Sequence, residues 1–426
     1  MANLVKALMA SAVLCMTFSS VASAQDTEGG EGVGFKRDRN QSVKQRVPAE
    51  YRPLGIRWGG FTASPKVTAD LETTDNVYYA STGKKDDIIF RLKPELGVRS
   101  NWSRHMLSGL ARAGTNKYSD FSDESYNEVF LTGSGRYDIV GSSNLFGGVA
   151  YTSSVEPRGE ETSILSAAKP IEFKASSGNA GFVAGGNRLR LIGRVDYQKF
   201  DYKDVRRLGG GVIDMDDRDR VETRGSLRGE YAVSPDTSVY VVYEGNKREY
   251  DIVGTSGVRD SDGYEVAVGV NLDLSKLVRG EAQIGYLSQS YDNTKFAKAS
   301  GASYKARLEW FPTQLTTVGF NASRGIKETP AVGSSGYESA VLGVSVDHEV
   351  LRNFIVSGAY TKTDNSFNGI DRSDKRTAAN VAATYRVNRT VAVTGGYYYS
   401  DLSSSGKAKA PEYDNKALKL SVTFAY

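Results

Sequence analysis

The final ten residues, Ala417-Leu418-Lys419-Leu420-Ser421-Val422-Thr423-Phe424-Ala425-Tyr426, alternate strictly between apolar side chains and polar or small ones. In an extended chain this period puts Leu418, Leu420, Val422, Phe424 and Tyr426 on one face and Lys419, Ser421, Thr423 and Ala425 on the other. At the end of a soluble protein such a strand is an exposed edge, ordinarily blunted by charge or proline. Nothing blunts this one. The economical solution is a strand that closes a membrane barrel, with its apolar face on lipid and its polar face on the lumen.

The other end agrees. Lys6 precedes an apolar stretch from Ala7 to Phe18, and Ala22-Ser23-Ala24 forms a small-x-small cleavage site before Gln25. Residues 1–24 therefore read as a secretory signal peptide, with an amphipathic mature helix as the weaker alternative. The single cysteine, Cys15, lies inside that stretch, and Leu14 is too bulky for the position before a lipidated cysteine. A mature chain without thiol, disulfide or lipid anchor is expected. Beyond the leader no apolar run approaches the 18 to 20 residues that a membrane helix needs.

Composition suits the barrel. A mean hydropathy of −0.40 is too polar for a helical membrane protein, but a barrel strand offers lipid only every second residue. Aromatics at 10% argue against disorder. A net charge of +4, evenly spread, carries no nucleic-acid footprint, so no nucleic-acid partner is expected.

Alternation and breakers repeat a plan of strand, short turn, strand, long polar loop. The short connections are 101–104, 139–142, 185–187, 233–237, 274–277, 311–314, 350–353 and 387–390; the long ones include 201–218, 253–262, 330–336 and 401–415. About eight turns and nine loops imply about 18 strands over 51–426, with 16 as the alternative count. The expected architecture is an all-β, antiparallel, up-and-down transmembrane barrel with both ends in the periplasm. About 21 residues per strand and connection leave room for spanning strands of about 9 to 11. A solenoid or propeller would need sequence repeats that are absent, and a soluble sandwich would have to conceal too many apolar faces. Trp58, Trp102 and Trp310 map to the turn end as an interfacial girdle. Tyr118, Tyr151, Tyr197, Tyr243, Tyr286 and Tyr397 are expected in the opposite girdle.

Phasing the central strands by their apolar faces gives the lumen. With Leu189, Leu191, Val195 and Tyr197 outward, Arg188, Arg190, Arg194 and Asp196 face in. Outward Val221, Leu227 and Tyr231 leave Glu222, Arg224, Arg228 and Glu230 inside, and the same argument gives Glu265, Arg279, Glu281, Lys305, Arg307 and Glu309. Opposite charges are expected across neighbouring strands, where they hold register and line a hydrated wall able to pass a polar solute.

No catalytic or metal constellation emerges, and no cofactor is expected. His105 and His348 lie beside turns on distant strands, a poor arrangement for hydrolysis. Oxygens of Asp214, Asp216, Asp217 and Asp219 could hold calcium, but Arg218 and Arg220 between them favour a solvated loop. Residues 25–50, polar and then basic through Lys36, Arg37, Arg39, Lys44 and Arg46, read as a disordered periplasmic extension that could lie in the pore mouth or dock a partner.

Several strings resemble the bacterial family called putative beta-barrel porin 2: Pro53-Leu54-Gly55-Ile56-Arg57 with Gly60-Phe61 and Pro65, Asp75-Asn76-Val77-Tyr78, Lys93-Pro94-Glu95-Leu96, Asn101-Trp102-Ser103-Arg104-His105, Arg136-Tyr137-Asp138 and Glu156-Pro157-Arg158. The resemblance spans 48–426. It implies an outer-membrane barrel of a Gram-negative bacterium, associated with polysaccharide export and partnered by a periplasmic export protein, with no catalytic residues. Lipid and the barrel assembly machinery are the other expected partners, since the closing aromatics Phe424 and Tyr426 resemble an assembly signal. The leading expectation is a conduit for an extracellular polysaccharide. A general or solute-specific diffusion porin is the alternative, and a structural or adhesive barrel without conductance the second.

Overall fold

The computed structural model describes residues 41–160, 163–164, 166–253, 257–274, 277–329, 331 and 333–426. The signal peptide and residues 25–40 lie outside the described residues. A short strand β1 (Ile56–Trp58) precedes β2 (Phe61–Thr74), β3 (Asp87–Ser100), β4 (Met106–Tyr118), β5 (Tyr126–Asp138), β6 (Asn144–Val155), β7 (Glu172–Gly185) and β8 (Leu189–Tyr202). A small ribbon, β9 (Val205–Arg206) and β10 (Val212–Ile213), sits in the next loop. Then follow β11 (Arg220–Ser234), β12 (Thr237–Tyr250), β13 (Ser261–Leu274), β14 (Val278–Tyr291), β15 (Ala299–Thr313), β16 (Thr316–Lys327), β17 (Gly336–Leu351), β18 (Phe354–Asn368), β19 (Ser373–Arg386), β20 (Val391–Ser405) and β21 (Tyr413–Ala425).

The sheet holds 19 strands; one, β1, pairs only with the start of β2, which leaves 18 in the wall. Every pairing is antiparallel, and β8 meets β11 directly across the ribbon-bearing loop. The ring closes where β21 pairs with β2, from Lys66 opposite Ala425 to Thr74 opposite Ala417. This is the up-and-down transmembrane barrel that the alternation predicts, at the higher of the two strand counts.

Side chains lock the seam at its loop end, and a backbone hydrogen bond closes the other. Asn76, fully buried, donates from Nδ2 to the Asp414 carbonyl at 2.8 Å, and Asn415 Nδ2 donates to Thr74 Oγ1 at 2.8 Å. At the other end Tyr426 N–H donates to the Pro65 carbonyl at 3.1 Å. Leu418, Leu420, Phe424 and Tyr426 are exposed outward while Ser421 is buried inward, the phase read from the sequence.

Wall strands run to 12–16 residues, more than a membrane requires. The surplus lies toward the long loops. Among the described residues, no Lys, Arg, Asp or Glu stands outward on the half of the wall nearest the short turns. Outward cations such as Lys174, Lys199, Lys247 and Lys375 gather by the loops. A charge-free belt is what lipid demands, since a charged outward residue costs about 2–4 kcal/mol at the bilayer midplane.

Three bulges, at Ala232/Ser234, Trp310/Thr313 and Glu349/Leu351, sit beside tight turns, one of them at Pro312, which has no N–H for the ladder. The three tryptophans all lie at the turn end, Trp102 packing edge-on against Phe61 at 5.4 Å. Of the expected tyrosine girdle, Tyr118 departs. It pairs in register with inward Ile89 and faces the lumen.

Residues 41–51 also differ from the disordered extension expected over 25–50. They form a turn and a short 3-10 helix, Ala49–Tyr51, whose approach to the wall buries Val43.

Leu420→Lys, an outward change near mid-strand, is expected to cost about 2–4 kcal/mol in refolding titrations into lipid vesicles, whereas inward Thr423→Lys should cost less than half as much.

Candidate functional site: the lumen and its two mouths

Charge is unevenly placed inside the barrel. It concentrates on two walls, β2–β5 and β8–β15. Between them, the inward faces of β6–β7 and of the middle of β16–β20 are uncharged and carry mainly Gly, Ala, Ser, Thr and Asn, with Phe146, Phe173, Val183, Val341 and Tyr398 among them. Every inward residue of β18 and β20 is uncharged, including Thr361 and Thr363 on β18 and Thr394, Tyr398 and Ser400 on β20.

The first wall was not singled out from sequence, though Arg91-Leu92-Lys93-Pro94-Glu95 carries the same alternation. Asp70 lies 2.9 Å from Lys93 and 3.4 Å from Lys419 across the seam, Glu72 grips Arg91 with both oxygens, and Glu95 joins Lys66 and Arg112.

The second wall contains the expected residues. Arg190, Arg194, Asp196, Glu222, Arg224, Arg228, Glu230, Glu265, Arg279, Glu281, Lys305, Arg307 and Glu309 all share the inward register. Arg188 does not lie on this wall. It belongs to the exposed turn after β7, where its carbonyl accepts from Ala232 N–H at 2.8 Å, because the strand begins one residue later than its alternation suggests.

The pairing is richer than opposite charges on adjacent strands. Arg279–Glu309 and Arg224–Glu244 follow that rule, at 2.5 and 2.9 Å. Arg194–Asp196 and Arg220–Glu222 pair along their own strands, at 2.6 and 2.8 Å. Inward residues two apart sit about 7 Å from each other, a gap that a guanidinium spans easily.

Arg228 goes further, crossing β12 and β13 to reach Glu281 on β14 at 2.9 Å. Glycine makes the path. The Tyr240 ring lies flat on Gly269, where a Cβ would collide with it, and the Arg228 guanidinium stacks on that ring at 3.5 Å. Glu265 collects Lys305, Gln283 and Ser303 within 3.2 Å.

At the loop end, the chain between β6 and β7 folds inward. Glu156 takes both nitrogens of Arg218 at 2.8 and 2.9 Å, with the carboxylate fully buried. Arg158 holds Glu124 and the Ala167 carbonyl. Further along, Glu160 meets Arg376 of β19 at 3.0 Å, and the Gly159 carbonyl accepts from Tyr413 Oη of β21 at 2.7 Å. The loop thus reaches strands well round the ring from those that anchor it.

Beneath it, Ala167, Ile171, Phe173, Phe200, Tyr202, Val205 and Met215 form an apolar cluster inside the mouth, and Arg218 stacks on Tyr202 at 4.2 Å. Nothing in the local sequence marks these partners, since each pair joins residues far apart in the chain.

Asp204, Asp214 and Asp216 bring carboxylate oxygens within 4.8 Å of one another, but all three are exposed. Burial pushes the neighbouring Asp219 carboxyl up to about 6, and the charges of Asp201, Asp216 and Asp251 add to this, against the hydrogen bond it accepts from Tyr202 N–H.

The histidines have structural partners. His105 Nδ1 accepts from Asp138 N–H at 3.0 Å and its ring stacks on Tyr137 at 4.4 Å, while His348 Nδ1 lies 3.0 Å from Thr316 Oγ1.

At the turn end, residues 43–46 rest on the inward face of β14–β17. Both mouths are therefore narrowed by the protein's own chain.

Arg218→Ala would strand the buried Glu156 carboxylate, at a cost of about 3–5 kcal/mol; faster limited proteolysis between β6 and β7 is the expected readout. Because the Asp219 carboxyl is raised in the folded loop, protonation favours that loop. Its protection should be full below about pH 4, fall as pH rises through about 6, and lose this dependence in Asp219→Asn.

A family model described as putative beta-barrel porin 2 matches residues 48–426. No curated protein sequence matches the chain. Among solved structures, the siderophore receptor PiuA from Acinetobacter baumannii is similar at 10% identity and TM-score 0.48, covering 87% of this chain and 82% of that one. OccAB3 from the same organism gives 14% and 0.45, with 87% and 100% covered. OccK3 (OpdO) from Pseudomonas aeruginosa gives 13% and 0.44, with 86% and 95% covered.

Proposed function

We propose that this chain, which belongs to the putative beta-barrel porin 2 family, is an outer-membrane conduit for a polar, hydroxyl-rich solute, with secretion of an extracellular polysaccharide as its specific role. The long loops then face outside the cell and the short turns the periplasm.

The observation that carries this reading is the uncharged strip through the middle of β16–β20, running beside the charged walls. Small hydroxyl and amide side chains such as Thr361, Thr363, Asn380 and Thr394 offer many weak, exchangeable hydrogen bonds. Successive sugars can bind and release along such a strip without a deep trap. The paired charges beside it keep water in the lumen while cancelling one another's field, which suits a solute of little net charge.

One observation favours the alternative, a diffusion porin for small solutes. The tie of Glu160 to Arg376 holds the β6–β7 loop over the outer mouth, a selective constriction for a small molecule and an obstacle to a polymer unless the loop opens. Replacing Glu160 and Arg376 together with Ala should therefore increase small-solute flux through reconstituted barrels.

Removal of the gene from its host decides between the two. Surface polysaccharide should be lost while small-solute uptake stays nearly unchanged. A null strain that displays its polysaccharide normally and loses uptake of a nutrient gives the role to the diffusion porin.

A further inference from the structure

The inward face of β14–β17 at the turn end carries a polar niche with an occupant already in it. Asp347 and Glu349, on β17, meet Lys44 at 2.7 Å and Arg46 at 2.9 Å. Thr317 Oγ1, on β16, accepts from Val43 N–H at 3.0 Å, and Arg279 of β14 donates to Gln45 Oε1 at 2.7 Å. Arg46 also donates to the Gln314 carbonyl in the β15–β16 turn at 2.5 Å. Val43 is 1% exposed and Thr317 4%.

Val43, Lys44 and Arg46 donate to the wall, and Gln45 accepts from it. Both carboxylates of the niche are answered by cations at the spacing i, i+2, on the segment as on the strand.

From this we infer that the niche is a binding site for a basic peptide segment, occupied in cis by residues 43–46, and that its occupancy narrows the periplasmic mouth. The second clause rests on the conduit reading; the first does not.

The attachment is slight. The outer loop has an apolar cluster of its own, but this segment buries one apolar side chain and otherwise holds on by a few hydrogen bonds and partly wet ion pairs. Lys44 keeps 25% and Arg46 35% of its side-chain surface exposed. Residues 47–55 contribute no strand pairing before β1. Segments with few buried contacts open at low free energy, so this one can leave its niche while the barrel stays closed.

Cysteine pairs test the docking directly, because Cys15 is the sequence's only cysteine. In the full chain folded in vesicles, Val43→Cys with Thr317→Cys, and separately Lys44→Cys with Asp347→Cys, should form a disulfide on mild oxidation, seen as a gel shift reversed by reductant. Failure of both pairs overturns the site.

The throttle is read from single-channel conductance. Lys44→Glu with Arg46→Glu should raise it on the order of 1.5-fold, one segment being displaced from a lumen framed by 18 strands. The oxidised Val43→Cys/Thr317→Cys protein should stay at the wild-type value. Equal conductance in the charge-reversed and wild-type proteins overturns the throttle. A barrel silent in every form, with the disulfides forming, overturns the conduit reading and the throttle with it but upholds the site.

Discussion

Within the hydrocarbon layer a backbone N–H or C=O has no partner except another strand, and each one left alone costs several kcal/mol. A sheet of 18 strands meets that demand everywhere but at its two edges, so the fold depends on the seam where β2 joins β21. The seam is reinforced accordingly. Asp75 accepts from Lys416 N–H while Asn76 and Asn415 reach across its loop end, and Asp70 sits among Lys93 and Lys419 in its middle. Several strings that carry the family resemblance turn out to be clamps of this kind. Asp75-Asn76 holds the seam, Asn101-Trp102 binds the start of β2, Arg136-Tyr137-Asp138 folds onto His105, and Glu156 and Arg158 pin the outer loop.

Closure frees the inward face. Once lipid has claimed every second residue, the others can be as polar as water allows, and the lumen uses that freedom in two ways. Charged side chains pair along strands, across strands and, where Gly269 lets Tyr240 lie flat, over two strands at once. Between the charged walls run strips of neutral, mostly small residues. The mouths are narrowed by different means, an apolar cluster with buried ion pairs at the loop end and a few polar contacts, partly wet, at the turn end. Segments with fewer buried contacts open at lower free energy, so the two ends differ in what opening costs.

The wall was legible in the sequence because a membrane strand obeys one rule, period two, and the rule survives without knowledge of any partner. Leu189 to Tyr197 and Leu418 to Tyr426 gave the phase, the phase gave the lumen, and turn spacing gave the strand count. Arg188 escaped because alternation does not say where a strand begins. Tyr118 escaped because an aromatic suits either face of a barrel. Contacts between remote segments were invisible for a deeper reason. Glu160 with Arg376 and Lys44 with Asp347 join residues whose neighbours in sequence give no hint of their neighbours in space.

The account stands on the claim that one face of each strand meets lipid and the other a continuous water-filled lumen. Accessibility of single spin labels placed along 224–231 and 417–425, measured in bilayers with oxygen and with a water-soluble relaxant, tests it most directly. The account predicts two out-of-phase patterns of period two, with oxygen favoured at Leu227, Tyr231, Leu418 and Leu420 and the aqueous relaxant at Arg224, Arg228, Lys419 and Thr423. Matched patterns at both sets of positions, or an aqueous relaxant that reaches neither, would contradict it.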